Sequence, residues 1–317
     1  MKKDNDDFHR EISFLKHEIN RSLKKILIKD EPKYLYDPIK YSINNSGKRL
    51  RPILVFLSGK LFKSNVNDLM KAAVAVELLH IFTLIHDDIM DGDDIRHGKP
   101  SLHEKWDIST AILSGDAIFT LAQLAISNLD EKAYQRLNEV SLLVCEGQAL
   151  DKEFENDNSI SMDKYLDMIT KKTGSLLGLC SELGAIVSEQ EIDIRSKLYT
   201  FGVNLGLAFQ IQDDYLEIFG EQKLMGKSLG SDIHAGKQTA MTIMARSMNK
   251  KKWEDLTSRK TDLQSYRDFF LANRIDYEIK KLVEHYIDKT SKCVEFTHSL
   301  ENNFLDSFSK YILNRRY

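Results

Sequence analysis

The 317-residue chain has only four prolines, Pro32, Pro38, Pro52 and Pro100, and none after position 100. Proline inside a helix costs about 3 kcal/mol relative to alanine, so residues 101–317 are open to long helices. Apolar spacing shows that helices form. Phe8, Ile12, Leu15, Ile19, Leu23 and Ile26 recur every three or four positions, the stripe of an amphipathic helix. A second helix is expected from about Val66 to Met90, capped by Asn67 or Asp68. A third opens at a capping box, Ser188 to Glu191, and runs to Phe219. No segment alternates with period two for long, and the Asp91-Gly92 pair follows a helical pattern instead of parting two strands. No repeat, low-complexity linker or boundary divides the chain. The expectation is one all-α domain over 1–317, with ten or more helices.

Charge narrows the function classes. A formal net charge of −3 argues against a general nucleic-acid or membrane-surface binder, so electrostatics must act locally. Cys145, Cys180 and Cys293 fall in no metal or redox spacing and read as thiols of a reducing cytoplasm. The N-terminus lacks the apolar segment of a signal peptide, and no run approaches the roughly 18 apolar residues of a membrane span. A soluble, cytoplasmic protein without stable membrane insertion is expected.

Two helical stretches, 171–186 and 201–214, carry glycines at helical spacing. Each glycine costs up to about 1 kcal/mol against alanine in a helix interior. The principal reading is close helix–helix approach; the second is a backbone that must come near a ligand.

Local charge concentrates in "LIHDDIMDGDDIRHGKPS", with five aspartates within eight positions. Asp87 and Asp91 are four apart and share one helix face, with Asp88 adjacent. Asp213 and Glu217 repeat that spacing, with Asp214 adjacent. Clustered carboxylates repel unless a cation is shared. Oxygen-only ligands favour Mg2+, which keeps waters and completes its shell with substrate phosphates. Either cluster alone reads first as a solvated helix end; the matched pair suggests a diphosphate held through several metal ions. An EF-hand is excluded by the glycine position and the missing terminal glutamate. Basic islands accompany the acids: Lys48, Arg49 and Arg51; Arg96, His97 and Lys99; Lys172; and Lys227 and Lys237, each of the last two behind a glycine. Arginine forks and lysine charges are the usual holders of phosphate oxygens, so two anionic ligands are implied.

In order along the chain, "GKRLRP", "LIHDDIMD", "RHGKPSLH", "GD", "KTG", "FQIQDD" and "GKSLGSDIHAGKQT" resemble the trans-isoprenyl diphosphate synthases over roughly residues 45–240, nearest the archaeal type. The resemblance implies an all-α bundle around a deep central cavity, a homodimer, and a reaction joining isopentenyl diphosphate to an allylic diphosphate with release of diphosphate. It implies that Asp87 and Asp91 ligate two of three Mg2+ ions and Asp213 the third, supported by Asp88, Asp214 and Glu217. Arg96, Lys172, Lys227 and Lys237 would hold the allylic diphosphate. Lys48, Arg51, His80 and the position of His97 would hold isopentenyl diphosphate. Thr173 and Gln210 would stabilise the allylic cation as dipoles. Phe82, five positions before Asp87, and Thr83 would set product length, with Phe82 as cavity floor or simply as core. A large residue beside a small one resembles geranylgeranyl synthases, so a twenty-carbon product is expected first and the fifteen-carbon farnesyl product second.

Three positions depart from the family pattern. Ser46 replaces a glycine. Glu217 replaces an aspartate and reaches one methylene further, which puts direct metal contact in doubt. His97 replaces an arginine. With an unperturbed pKa of about 6.5, His97 is either a partly charged ligand whose hold on isopentenyl diphosphate weakens as pH rises, or a neutral hydrogen-bond donor. Arg315 and Arg316 read as a solvated tail or a closure over that site. Two rival classes remain. A terpene cyclase ionises a single substrate and has no use for a Lys48/Arg51/His80 site. A non-catalytic partner subunit of a heteromeric synthase typically lacks one or both acidic clusters.

Overall fold

The computed structural model describes residues 2–26, 29–45, 47–220, 229–259, 261–300 and 303–313. Ser46, Lys227, Arg315 and Arg316, singled out in the sequence, lie outside the described residues. The rest is almost entirely helical, as the periodicity requires. The described residues gather into two compact units. The first comprises the described residues within 1–139, 179–199 and 296–308, the second those within 140–178, 200–295 and 309–313.

The first unit holds α1 (Lys2–Ile26), α2 (Lys33–Asn44), α3 (Leu50–Lys60), α4 (Val66–Asp91), a two-stranded hairpin of β1 (Ile95–Arg96) and β2 (Lys99–Pro100), α5 (Leu102–Lys105), α6 (Ile108–Ile126) and the start of α7 (Glu131–Phe154). The α1 stripe is inward: Phe8, Ile12, Leu15, Ile19 and Leu23 are all buried. In α3 every residue from Pro52 to Gly59 is buried, and α4 is buried on most of its circumference from Leu69 to Leu79. Fully burying one such side chain contributes about 1.5–3 kcal/mol, so these two helices anchor the core. That core encloses a charge. Glu77 of α4 pairs with Arg49, which also donates to the Ile43 carbonyl (2.7 Å) and to Asn20 Oδ1 (2.8 Å). Arg49 is therefore a buried structural cation and not one of the anion-binding island. Breaking such a pair from one side costs about 3–5 kcal/mol.

The second unit holds the remainder of α7, α8 (Met162–Ile169), a π-helical turn (Thr170–Gly174), the start of α9 (Ser175–Val187), most of α10 (Ile192–Phe219), α11 (Ser231–His234), α12 (Ala240–Thr257), α13 (Leu263–Ala272), α14 (Ile275–Cys293) and the end of α15 (Leu305–Leu313). The glycine-spaced helices meet here. A Cβ on Gly206 would stand 2.7 Å from Gly174 Cα, and one on Gly202 would overlap the Leu177 carbonyl. Close helix approach is thus the use of these glycines.

Several local expectations are corrected. The cap of α4 is Asn65, whose side chain accepts from the N–H of Asn67 (2.9 Å) and Asp68 (3.4 Å). Ser188 forms no capping box; its hydroxyl donates back to the Gly184 carbonyl, and α10 starts at Ile192. The "IRHGKP" run is a hairpin: Ile95 pairs with Pro100 and Arg96 with Lys99. Its two turn residues, His97 (φ 52°) and Gly98 (φ 74°), are both left-handed, as a type I′ turn demands. Two helices do reach the length and hydropathy of a membrane span, against the sequence reading. Of these, α4 is mostly buried and contains Glu77, whereas α6 is one-third buried.

Candidate active site

The last turn of α4 carries the first acidic cluster. Asp87 and Asp91 are half-buried on one face, while Asp88, one residue round, is turned inward and buried. Asp88 is occupied by Arg96, whose Nε donates to Asp88 Oδ1 at 2.7 Å and whose other arm also reaches Asp93 Oδ2 at 3.1 Å. Burial raises the Asp88 pKa against the pull of Arg96. The hairpin turn thus swings Arg96 back onto the helix that precedes it. Asp88 and Arg96, expected as metal support and diphosphate holder, are bonded to each other here.

Near the start of α3, Lys48 is exposed and Arg51 half-buried. Arg51 NH1 lies 2.9 Å from His80 Nε2. Loss of solvation and then the Arg51 charge hold the His80 pKa well below the ordinary histidine value. His80 is therefore neutral, with Nε2 accepting from Arg51. The His97 ring packs over Gly47 with Nδ1 3.3 Å from the Asn45 carbonyl. Burial and then Arg96 lower its pKa as well. The His97 Nδ1–H donates to the Asn45 carbonyl.

Phe82 is half-buried between the rings of His86 (centroids 4.6 Å) and Phe119 of α6 (5.1 Å). The Thr83 hydroxyl donates to the His80 carbonyl at 2.8 Å. Gly115 of the "GD" pair gives the His86 ring its place, since a Cβ there would overlap it.

In the second unit, α10 carries the second cluster. Asp213 is half-buried, whereas Asp214 and Glu217 are buried. Asp214 Oδ2 accepts from the Tyr165 hydroxyl (2.6 Å) and the Ala240 N–H (2.9 Å); its Oδ1 accepts from Gln210 Nε2 (3.1 Å). Burial outweighs these bonds and pushes its pKa up to about 7. Glu217 accepts from the Ser231 hydroxyl (3.0 Å) and the Asp232 N–H (3.2 Å). Its longer side chain reaches the first turn of α11.

Thr173 lies in the π-helical turn and donates to Gln210 Oε1 at 3.1 Å. Lys172 beside it pairs with Asp151. The π turn is seated on Gly147 of α7, where a Cβ would overlap the Lys172 backbone. Lys237 is half-buried, after Gly236 (φ 73°). Tyr165, Asp151, Gly147 and Phe119 had no role in the sequence reading. Gly147, inside a long helix, was the one readable signal among them.

Asp88, Asp214 and Glu217 are thus buried, while Asp87 and Asp91 in one unit and Asp213 in the other are half-buried. This oxygen-only donor set suits Mg2+. Among the described residues, the set of three ligand-type side chains that converges within 4.8 Å is Asp94, His103 and Glu104, outside both clusters.

The polyprenyl synthetase family model matches residues 32–269. Geranylgeranyl pyrophosphate synthase of Geoglobus acetivorans is 33% identical over 307 residues, covering 94% of this chain and 96% of that protein. A short chain isoprenyl diphosphate synthase of Methanocaldococcus jannaschii is 44% identical over 232 residues, covering 72% and 70%. Among solved structures, the polyprenyl synthase of Caulobacter crescentus complexed with calcium and isoprenyl diphosphate superposes with a TM-score of 0.89. It is 27% identical and covers 99% of this chain and 98% of its own.

Proposed function

The chain belongs to the polyprenyl synthetase family, and on that premise we propose that it is a short-chain trans-isoprenyl diphosphate synthase making geranylgeranyl diphosphate. The observation that carries this reading is the presence of Lys48, Arg51 and His80 alongside two intact acidic clusters, which provides for two diphosphate substrates. A terpene cyclase would need only one, and a non-catalytic subunit typically lacks one or both clusters.

Mg2+ bound by Asp87, Asp91 and Asp213 would neutralise the diphosphate that leaves the allylic substrate. Lys172 and Lys237, with Lys227 and Arg96, would hold the phosphate oxygens. The allylic C–O bond breaks with its electron pair going to the diphosphate. The oxygens of Thr173 and Gln210 face the resulting cation as dipoles, where a carboxylate would risk capturing it. Lys48 and Arg51, the latter oriented by His80, hold isopentenyl diphosphate so that its double bond attacks, and the proton then lost goes to the released diphosphate. Excluding water matters because the cation would otherwise form an alcohol.

The half-buried Phe82 ring supports a floor that stops growth at twenty carbons; the alternative is farnesyl diphosphate. Exposed Ile108, Ile112, Leu113 and Leu124 on α6 support a homodimer. Cytoplasmic location accords with three cysteines that form no disulfide. The test is incubation of the purified chain with Mg2+, labelled isopentenyl diphosphate and each allylic diphosphate in turn. The expected result is elongation to a twenty-carbon product. No elongation with any primer would overturn the reading.

A further inference from the structure

Gln210 can stabilise a cation only if its amide presents oxygen; reversed, it would present N–H groups and repel the charge. What sets its direction is one hydrogen-bonded series in the second unit. Asp214 accepts from Gln210 Nε2, so the amide nitrogen faces the carboxylate and Oε1 faces Thr173, which donates to it. Asp214 is itself immobilised by the Tyr165 hydroxyl and the Ala240 N–H. Tyr165 is 1% and Asp214 5% exposed, so water cannot substitute for either partner. With its hydrogen donated to Gln210, the Thr173 oxygen keeps its lone pairs for positive charge. We infer that Tyr165 and Asp214 are positioning residues that fix the polarity of the Gln210–Thr173 pair, and that Asp214 acts through Gln210 and not through a metal ion.

This inference rests on the proposed synthase reaction and predicts how it fails. In Asp214→Asn the fixed Ala240 N–H claims the new amide oxygen, leaving the amide nitrogen opposite Gln210. Two NH2 groups cannot face each other, so Gln210 turns over and points N–H toward Thr173. The reacting cation then loses its dipoles, and water adds to it, losing a proton to give the allylic alcohol.

The experiment measures kcat, the Mg2+ concentration for half-maximal rate, and the ratio of allylic alcohol to condensed product. Variants are Asp214→Asn, Gln210→Met and the double variant. Asp214→Asn should lower kcat about 100-fold, the scale of a lost preorganised dipole. It should raise the alcohol ratio and leave the Mg2+ requirement unchanged. In the Gln210→Met background it should cost nothing further, because the two act as one unit. A severalfold higher Mg2+ requirement for Asp214→Asn, or full additivity in the double variant, overturns the inference while the synthase reading stands. A wild-type chain that condenses nothing overturns the reading itself. If Asp214→Asn does not fold, Tyr165→Phe poses the same test. It keeps the Ala240 bond and should lower kcat severalfold in the wild type, and not at all beside Gln210→Met.

Discussion

His80 and Arg51 show how a single proton inventory constrains this protein. His80 is held neutral by loss of solvation and the adjacent guanidinium, so its folded pKa lies below the value of about 6.5 expected in the unfolded chain. Between those two values the unfolded chain binds more protons, so stability rises with pH up to about 6.5 and is flat above. Lowering the pH through that window should therefore destabilise the protein. His80→Gln keeps an acceptor for Arg51 and removes the titration; urea midpoints at about pH 5 and about pH 7 should differ less than in the wild type. His97 has the same sign and leaves a residual slope. Equal slopes in variant and wild type would contradict this account. Phe82 carries the other residue-scale prediction. Phe82→Ala removes the ring held between His86 and Phe119 and should shift the product beyond twenty carbons; unchanged chain lengths on thin-layer chromatography would remove Phe82 from that role. The candidate residues could be named from the sequence, but their directions could not. Adjacent acids lie about 100° apart on a helix. Nothing in "DDIMD" or "DDYLE" says which one turns inward; donors elsewhere in the chain, among them Arg96, Tyr165, Ala240 and Ser231, decide it.

Among elements, long helices were readable because a 3.6-residue period needs only the apolar pattern. The hairpin at Arg96 and the π turn at Thr173 were not. Two-residue strands are too short to alternate, and the π turn depends on a distant glycine, Gly147, that makes room for it. Glycine spacing did announce close approach, and Gly206 gives it a measurable consequence. In Gly206→Ala the new Cβ would stand 2.7 Å from Gly174 Cα and 3.3 Å from the Thr173 carbonyl oxygen. Both are backbone and cannot swing away, so α10 must move off the π turn. Overpacking of this kind costs about 1–3 kcal/mol. The same displacement stretches the 3.1 Å bond from Thr173 to Gln210. We expect a lower melting temperature by calorimetry together with a lower kcat; full activity at unchanged melting temperature would show that the two segments have slack.

At the scale of the molecule, no composition boundary marks the two compact units because divisions fall inside α7, α9, α10 and α15, where the helical pattern runs on unbroken. A linker-seeking reading has nothing to find there. What a monomer leaves open is α6. It buries Ala111, Ser114, Ile118 and Ala122 against α4 and the rest of the first unit, yet exposes Ile108, Ile112, Leu113 and Leu124. Apolar side chains gathered on one helix face are costly in water and mark an association surface. A second copy of the chain is the partner proposed for it. Light scattering should give twice the chain mass of 36.6 kDa. Leu113→Glu places a charge that cannot be buried without a partner, and should return the mass to that of one chain with the helical circular-dichroism signal retained. A wild type already at single-chain mass, or a Leu113→Glu variant still at twice that mass, would show that this face is not where two copies meet.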